Sequence, residues 1–365
     1  MIRLATIALL GRADTPTDAV EEYCWYLSEA LRAQGIRLTI ERVPWEEGGW
    51  GGALQALRGR AKTWKGLWVI VQYTALAWSS RGFPLRFSRV LEILKGAGVR
   101  LAVVYHDVEP FAGTRIIDLL RRQAQLRAMR HAMDLCDVAV FTVPMEKLSW
   151  MQPQYTHSVF IPVGANLPVS REAASRKTIA RRGKLKIAVF SVTGGSATQK
   201  EIGEIVGAVR FASSHVGNLQ LTVLGRNSKE TESEFLKQLD GAPVEIQVLG
   251  LLSNEDVART LFSCDVLLFV RGPISTRRGS AIAGIACGLP VIAAEGSETS
   301  SLITEAGVAF YSPKKKNDLG TVLLHVLQDE HYRASLAQRS WIAQQRYFSW
   351  TAIASRYAQF LEKRF

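Results

Sequence analysis

The sequence predicts an α/β protein with two Rossmann-like domains, and three observations support this prediction. The chain has 365 residues, which is enough for two domains that each bury a core of ordinary size. Residues 2–43 give a strand, a helix and a second strand, the order that opens a nucleotide-binding fold. A second series of alternating strands and helices opens at Leu185.

The domain boundaries follow from where this alternation stops. Residues 1–168 are predicted to form the N-terminal domain, residues 169–185 a basic linker, and residues 186–349 the C-terminal domain. The cations in or beside the linker are Arg171, Arg176, Lys177, Arg181, Arg182, Lys184 and Lys186. Glu172 is the only acid among them, so a solvated linker is favoured over a nucleic-acid motif.

Composition and charge narrow the class of protein. The formal net charge of +12 allows nucleic acid, anionic lipid or phosphorylated molecules as partners. The sequence contains no zinc finger, RNA-recognition signature or helix-turn-helix pattern, so no nucleic-acid partner is predicted. No apolar run approaches the ~18 residues of a membrane span, and the run at residues 5–10 is too short for a signal peptide. These features indicate a cytoplasmic protein, with the inner face of the membrane open as a second location.

The cysteines do not form a metal-binding pattern. Cys24, Cys136, Cys264 and Cys287 are scattered, without a CxxC motif or a Cys/His cluster at ligand spacing. Reduced, buried cysteines are the interpretation that fits a cytosolic enzyme. No metal site and no cofactor are predicted.

The most informative stretch is Arg271–Ala294, which reads as a strand end, a loop, a helix and a strand. The helix covers residues 280–287 and is followed by Gly288, a residue typical of the position after a helix. Its N-terminus offers free N–H groups to an anion, and two arginines precede it. The predicted anion-binding residues are Arg277, Arg278, Gly279 and Ser280. A well-packed β-α-β unit with solvated arginines is the open alternative.

Two other loops of the C-terminal domain are candidate phosphate sites. Gly194 and Gly195 precede a helix, and Lys200 adds a cation near its start, which together predict a phosphate nest. A plain glycine loop at a helix start is the open alternative. Arg226 follows the strand at residues 219–224 and supplies a further cation for a diphosphate.

In the N-terminal domain, chemistry is predicted where strands end. His106 and Asp107 leave the strand at residues 100–105 together, so His106 can act as an acid or a hydrogen-bond donor that Asp107 orients. A capped turn, in which Asp107 accepts from backbone N–H groups, is the open alternative. Tyr73 follows the strand at residues 67–72, where an aromatic ring either stacks on a sugar or base or closes the core.

A long basic helix is predicted at residues 114–134. Its basic residues are Arg115, Arg121, Arg122, Arg127, Arg130 and His131, and apolar residues occupy other positions. A helix with one solvated face and a helix that lies on anionic lipid both fit this pattern, and both stay open.

Three segments of the C-terminal half resemble one protein family. They are Cys-Asp-Val-Leu-Leu-Phe at 264–269, Ala-Gly-Ile-Ala-Cys-Gly-Leu-Pro-Val-Ile at 283–292, and Gly-Val-Ala-Phe-Tyr-Ser-Pro at 307–313. The likeness ends at Phe348-Ser-Trp350 and covers most of the chain. The family is the group 1, family-4-like, retaining glycosyltransferases. They have the GT-B fold, in which two Rossmann-like domains face each other across a cleft.

This resemblance implies the roles of the two domains. The C-terminal domain is expected to bind a nucleotide-sugar donor, and the N-terminal domain a glycan, lipid-linked or small-molecule acceptor, with retention of configuration and no metal. The helix at residues 350–365 is expected to pack on the N-terminal domain. A peripheral membrane contact stays open, because relatives act on lipid-linked acceptors.

The resemblance also implies roles for single residues. His106 is expected to face the donor sugar, and Lys200 to grip the diphosphate. Gly250 and Leu251 are expected to lie at the nucleobase. Gly11, after the first strand, is a candidate cleft residue, although a plain tight turn explains it too.

The chain departs from the family pattern at two places. The two glutamates that the family carries eight positions apart are replaced by Ser275 and Ala283, and the arginine expected in the loop at residues 193–194 is missing. Ser275 is kept as a donor-site residue. Arg277 or Arg278 is expected to make part of the contacts with the donor that the glutamates make in the family. A glycosyltransferase is favoured. A GT-B-shaped protein that binds nucleotide or sugar without turnover, and a nucleotide-sugar epimerase, are the alternatives.

Overall fold

The computed structural model describes residues 2–169 and 183–362, which form two compact units. The first unit is Met1–Pro162 with Trp350–Phe365, and the second is Val163–Ser349. The division falls ahead of the predicted domain boundary at residue 168. Of the predicted basic linker, residues 170–182 lie outside the described residues.

The first unit is built on a six-stranded parallel sheet in the order β2-β1-β3-β4-β5-β6. Its strands are β1 Leu4–Leu10, β2 Ile36–Arg42, β3 Trp68–Tyr73, β4 Arg100–Tyr105, β5 Val138–Phe141 and β6 Ser158–Phe160. Its helices are α1 Ala19–Arg32, α2 Trp45–Ala61, α3 Phe87–Gly96 and α4 Ile116–Leu135. Every residue of β3 is buried, as expected for a parallel strand that helices cover on both faces.

The second unit contains another six-stranded parallel sheet, in the order β12-β11-β10-β7-β8-β9. Its strands are β7 Leu185–Phe190, β8 Leu219–Leu224, β9 Val244–Gly250, β10 Val266–Phe269, β11 Val291–Ala294 and β12 Val308–Tyr311. Its helices are α5 Thr198–Val216, α6 Glu232–Leu239, α7 Asn254–Phe262, α8 Gly279–Ala286, α9 Ser301–Glu305, α10 Asp318–Gln328 and α11 Glu330–Ala343. The last helix, α12 Trp350–Leu361, belongs to the first unit.

Each sheet has a point where the strand order reverses. In the first sheet β1 pairs with both β2 and β3, and in the second β7 pairs with both β8 and β10. In open parallel sheets, ligands bind beyond the carboxyl ends of the strands at such a point. The loops after β1, β3, β7 and β10 are therefore where a site is expected.

The predicted fold class is confirmed, and several elements have the predicted bounds. Strands β4 and β8 begin and end at the expected residues, and helix α12 begins at the expected residue 350. Helix α2 is absent from the sequence-based prediction because it contains five glycines, which are poor helix formers. One of them, Gly49, has a φ of 70° and kinks the helix.

Helix α12 packs on the first unit through aromatic and hydrogen-bonded contacts. The Tyr357 hydroxyl lies 2.9 Å from the hydroxyl of Tyr23 on α1, and both side chains are buried. Trp350 contacts the Tyr23 ring edge-on at 5.1 Å between centroids. The indole N–H of Trp68 donates to the Leu361 carbonyl at 3.0 Å. The end of the chain therefore closes one side of the first sheet.

A glycine before β12 provides a test of close helix–strand packing. A Cβ at Gly307 would overlap the Leu336 carbonyl oxygen on α11, which is backbone and cannot rotate away. We expect Gly307→Ala to lower the free energy of unfolding by about 2 kcal/mol or more. Gly203→Ala is the matched control, because a Cβ there meets nothing within 4 Å and removes a helix-interior glycine. The free energy of unfolding of the control, measured by chemical denaturation, should rise by about 0.5–1 kcal/mol. Equal stabilities of the two variants would contradict this packing.

Candidate functional site

Cations gather at the carboxyl edge of the second sheet, at its switch point. The loop after β7, residues 191–197, and the loop after β10, residues 270–278, flank that point. Arg271 Nε donates to Thr193 Oγ1 at 3.2 Å and so joins the two loops. Arg226, which follows β8, lies near enough to Arg271 for the two charges to repel. Arg271 was not among the residues predicted to bind the donor, although it opens the stretch that was singled out.

The loop after β7 is anchored on helix α5 by an acid. Glu201 is buried and accepts from the Thr193 backbone N–H at 2.8 Å. Lys200 is instead 80% exposed, and its ammonium lies 3.8 Å from Glu204 on the same helix. The structure therefore turns Glu201 towards the loop and Lys200 towards solvent, which weakens the predicted role of Lys200 in gripping a diphosphate.

Two glycines give this loop its shape. Gly195 has a φ of 79°, which side-chain-bearing residues rarely adopt, and it is exposed. Gly194 lies against the loop after β8, since a Cβ there would meet Asn227 Nδ2 at 3.1 Å. Backbone at both positions is therefore open to close approach by a ligand on one side.

Helix α8 begins at the other side of the switch point. Arg278 is its N-cap residue, and no side chain caps the helix. The N–H groups of Gly279 and Ser280 have no intrahelical acceptor, because they belong to the first turn. A Cβ at Gly279 would meet nothing within 4 Å, so this turn is open. The positive end of the helix dipole adds to the charge of the arginines here.

Arg277 is neutralised by an acid on the loop after β11. Its Nε and Nη2 donate to the two carboxylate oxygens of Glu298, both at 2.8 Å. The Arg277 and Glu298 side chains are 21% and 16% exposed, respectively. Burial raises the pKa of Glu298, but the hydrogen bond and charge of Arg277 outweigh it and leave the pKa lowered. Arg277 therefore ties the β10 and β11 loops together, and its charge is already balanced.

Arg278 has no such acid partner. Its Nε is buried and has no hydrogen-bond partner among the described residues. Burial lowers the pKa of Arg278, and repulsion from Arg277 and Arg271 adds to this, against a smaller opposing effect of Glu298. A desolvated cation with an unpaired N–H costs free energy, which an anion bound to it would offset.

Of three further predicted donor-site residues, Ser275 and Gly250 have structural contacts, and Leu251 is exposed. Ser275 is fully buried inside the β10 loop, and its carbonyl accepts from the Arg278 N–H at 3.1 Å. The Gly250 carbonyl accepts from the Gly225 N–H at 2.7 Å, so Gly250 joins the ends of β8 and β9. Leu251 is 50% exposed beside it. The Ser253 hydroxyl caps α7 by accepting from the Asp256 N–H at 3.1 Å.

In the first unit, His106 lies at the carboxyl end of β4 in a hydrogen-bonded aromatic setting. Its Nε2 lies 2.8 Å from Gln72 Oε1 on the neighbouring strand β3. Gln72 Nε2 donates to the Ile70 carbonyl, which fixes the amide so that its oxygen faces the imidazole. His106 Nε2 is therefore the protonated nitrogen, and Nδ1 keeps its lone pair. The ring edge of Tyr23 packs against the imidazole at 5.0 Å.

Burial determines the charge of His106. It lowers the pKa of His106 to about 4, and the nearby charge of Asp18 opposes this only in part. At pH 7 this pKa favours the neutral imidazole, which donates to Gln72 and can accept through Nδ1. The hydrogen-bond donor part of the prediction fits this geometry, and the acid part stays a prediction.

For Asp107, Gly11 and Tyr73, the surroundings fit the structural interpretation that the sequence left open beside the functional one. Asp107 Oδ2 accepts from the Ala75 backbone N–H at 2.7 Å, which is the capped turn of the alternative interpretation. Gly11 is buried, and a Cβ there would overlap the Ala77 carbonyl oxygen, so a close approach of two loops requires the glycine. Tyr73 is fully buried against Phe87 at 5.0 Å, so it closes the core and does not line a cleft.

A metal-binding cluster and a membrane-spanning helix are both absent from the part of the chain that the structure describes. Within residues 2–169 and 183–362, no three His, Cys, Asp or Glu side chains come together in a way that could hold a metal ion. None of the described helices has the length and apolar character needed to cross a membrane.

Comparison with known proteins rests on solved structures. No protein-family model matches the chain, and no curated protein sequence matches it. Sucrose-phosphate synthase from Thermosynechococcus elongatus is similar with a TM-score of 0.71 and 17% identity over 98% of both chains. HepE from Anabaena, solved with UDP and glucose, is similar with a TM-score of 0.65 and 14% identity over 99% of this chain and 100% of HepE.

The chain has the GT-B fold. A protein from Listeria monocytogenes assigned as a UDP-N-acetylglucosamine 2-epimerase also has this fold, with a TM-score of 0.62 and 12% identity over 99% of this chain and 98% of that one. Because transferases and an epimerase share the GT-B fold, the fold does not choose between these activities. The choice depends on the site residues.

The protonation of His106 can be measured directly. In nitrogen–proton NMR we expect His106 to carry its proton on Nε2 and to stay neutral as the pH falls to about 4. The unfolded chain takes up this proton near pH 6.5, so His106 lowers stability as the pH falls from 6.5 towards 4. Gln72→Glu should raise the pKa of His106, because a carboxylate stabilises the imidazolium, whereas Gln72→Leu should not. A proton on Nδ1, or titration of His106 near pH 6.5 in the wild type, would contradict this assignment.

The Arg277–Glu298 pair gives a second measurable expectation. Arg277→Gln leaves a largely buried carboxylate without its partner, so we expect a loss of about 3 kcal/mol in the free energy of unfolding. Arg277→Gln/Glu298→Gln should recover most of that loss. The pKa of Glu298 is lowered from its usual 4.5, so the pair stabilises above that pH and loses its effect as the pH falls through the folded value. Equal losses in the single and double variants would show that the pairing is not what matters.

Proposed function

We propose that this protein is a glycosyltransferase that uses a UDP-sugar donor, bound by the second unit, with retention of configuration. The observation that carries the proposal is Arg278, whose buried Nε lacks a partner at the open N-terminus of α8. A buried cation and free helix N–H groups at the switch point of a Rossmann-like sheet support an anion site there. UDP is chosen because HepE, which has the same fold, is solved with UDP and with UDP-glucose.

The arrangement supports departure of a diphosphate. Sugar transfer breaks the bond between the anomeric carbon and the diphosphate oxygen, so negative charge develops on the leaving group. Arg271, Arg278 and the first N–H groups of α8 are fixed before the reaction and can stabilise that charge. Arg226 extends the same cation cluster, while Arg277 holds the loop through Glu298.

His106 has a role in this proposal as a neutral hydrogen-bond acceptor. Its Nδ1 would accept from a substrate hydroxyl, while Gln72 holds the opposite nitrogen. Asp107 supports the turn behind it by accepting from Ala75. In this proposal the first unit binds the acceptor, which is a glycan or a lipid-linked molecule.

Two alternatives have a specific observation in their favour. Loss of the family's glutamates at Ser275 and Ala283 favours a binding protein without turnover. The Listeria structure, assigned as an epimerase, has the same fold and keeps an epimerase open. Product analysis separates the three: a transferase releases UDP in step with acceptor glycosylation, an epimerase converts the sugar and needs no acceptor, and a binding protein leaves the UDP-sugar unchanged.

Thermal unfolding in the presence of nucleotides tests the donor site. UDP at about 100 times its dissociation constant should stabilise the protein by about 2.7 kcal/mol, and GDP, ADP and dTDP should stabilise it less. Arg278→Gln should abolish the effect of UDP without lowering the melting temperature of the free protein, because the buried charge has no partner to lose.

The matched control removes a cation from the same unit. Arg259 is 77% exposed on α7 and pairs only locally with Asp256, so Arg259→Gln should leave the UDP effect intact. The donor-site assignment is wrong if no nucleotide stabilises the wild type, or if Arg278→Gln and Arg259→Gln respond alike.

A further inference from the structure

Helix α4 exposes large apolar side chains where a surface helix usually carries polar ones. Ile116 is 80% exposed, and Leu119 and Leu120 are 52% and 57% exposed. Ile117 and Phe111, just before the helix, are exposed as well. A contiguous patch of this kind on a protein surface typically marks a contact with another molecule or a membrane.

Arginines continue the same surface. At 3.6 residues per turn, Ile116, Leu119, Leu120 and Arg127 share one face of α4, opposite the buried Met129. We define the basic-apolar face by these residues and their exposed neighbours: Phe111, Arg115, Ile116, Ile117, Leu119, Leu120, Arg122, Arg127 and Arg130. Within the described ranges, none of its four arginines has a salt bridge at 4.0 Å or less. The single exposed acid of α4, Asp134, lies at its other end.

The basic-apolar face is held rigidly in place. Arg121 stacks over the rings of Phe111 and Phe83, at 4.8 and 5.5 Å, and its Nε donates to the Arg81 carbonyl at 3.0 Å. Gln125, which is buried, donates to the Gly82 carbonyl and accepts from the Phe111 N–H. These contacts fix both flanking loops, so the apolar side chains are presented by an ordered surface.

A further apolar side chain and two further cations adjoin this face. Leu85 is 64% exposed on the loop after β3, and Arg81 and Arg86 beside it are exposed too. The loop is attached to α4 through Arg121 and Gln125. The combined surface is apolar in its centre and positively charged around it.

We propose that the basic-apolar face docks on an anionic phospholipid bilayer. Its apolar side chains would enter the boundary between headgroups and acyl chains, and its arginines would bind lipid phosphates. Pairing with a second copy of the same face would bring the like charges of two sets of arginines together, which is unfavourable. An anionic bilayer satisfies the apolar and the charged parts of the surface at once.

This docking would orient the first unit. Helix α4 follows β4 through residues 106–115, so its N-terminal turns lie at the same sheet edge as His106. A bilayer on the basic-apolar face would therefore lie beside the edge that we assign to the acceptor. The docking itself does not depend on the proposed activity, because it is measured without substrate.

The test is sedimentation of the full chain with vesicles. We expect binding to vesicles of phosphatidylcholine mixed with phosphatidylglycerol, weak binding to phosphatidylcholine alone, and a decrease as salt is raised. Leu119→Ser/Leu120→Ser should weaken binding by about tenfold or more. Arg122→Gln/Arg127→Gln should weaken it by about fivefold for each arginine removed.

Matched controls come from the second unit. Leu236 is 53% exposed on α6, so Leu236→Ser removes a comparable apolar side chain, and Arg259→Gln removes a comparable exposed cation. Both should bind vesicles like the wild type, and all variants should keep their melting temperature and their stabilisation by UDP.

Three results would overturn the proposal. They are absence of wild-type binding to the anionic vesicles, equal losses in face and control variants, and a dimer in light scattering that Leu119→Ser/Leu120→Ser dissociates without vesicle binding. The last result would assign the face to a second copy of the chain. None of these results bears on the stabilisation by UDP, so docking and donor binding can fail separately.

Discussion

The ion pair between Arg277 and Glu298 sets the charge balance on which the second unit's site depends. Two hydrogen bonds of 2.8 Å satisfy both carboxylate oxygens, and the pair is largely shielded from water. Both carboxylate oxygens of Glu298 accept from Arg277, so Glu298 does not form a second ion pair with the adjacent Arg278. The loop is held in place by a paired cation, while the unpaired one stands at the open end of α8.

This arrangement of charges costs stability unless an anion is bound. A buried guanidinium with an unpaired N–H costs free energy that a neutral side chain would not, and the repulsion among Arg226, Arg271 and Arg278 adds to it. Sites that bind charge often keep such a cost, which the ligand then removes. In the first unit burial has a different consequence. It lowers the pKa of His106 and so keeps the imidazole neutral.

Most of the fold could be predicted because local signals determine it. Apolar runs give the parallel strands, Gly288 has the φ of 64° expected after a helix, and Ser253 caps α7 through its hydroxyl. The failures have local causes too. Five glycines obscure the helical pattern of α2, and an aromatic residue at a strand end, such as Tyr73, carries no local signal that decides between the core and a binding site.

The candidate site could be predicted only in part, because partners distant in sequence decide it. Gln72 lies 34 positions before His106 and reaches it only through the register of β3 on β4. Glu298 lies 21 positions after Arg277, on a different loop. The sequence places these residues at strand ends, but it does not show which acid neutralises which arginine. The donor-binding and catalytic roles of the named residues stay predictions.

The most direct test of the central claim is a crystal structure of the protein with UDP. We predict that the diphosphate lies at the N-terminus of α8, within hydrogen-bond distance of the Gly279 and Ser280 N–H groups and of Arg278 Nε. Arg277 should remain paired with Glu298. A diphosphate bound away from α8, or an Arg277 that leaves Glu298 to bind it while Arg278 stays unpaired, would contradict the account.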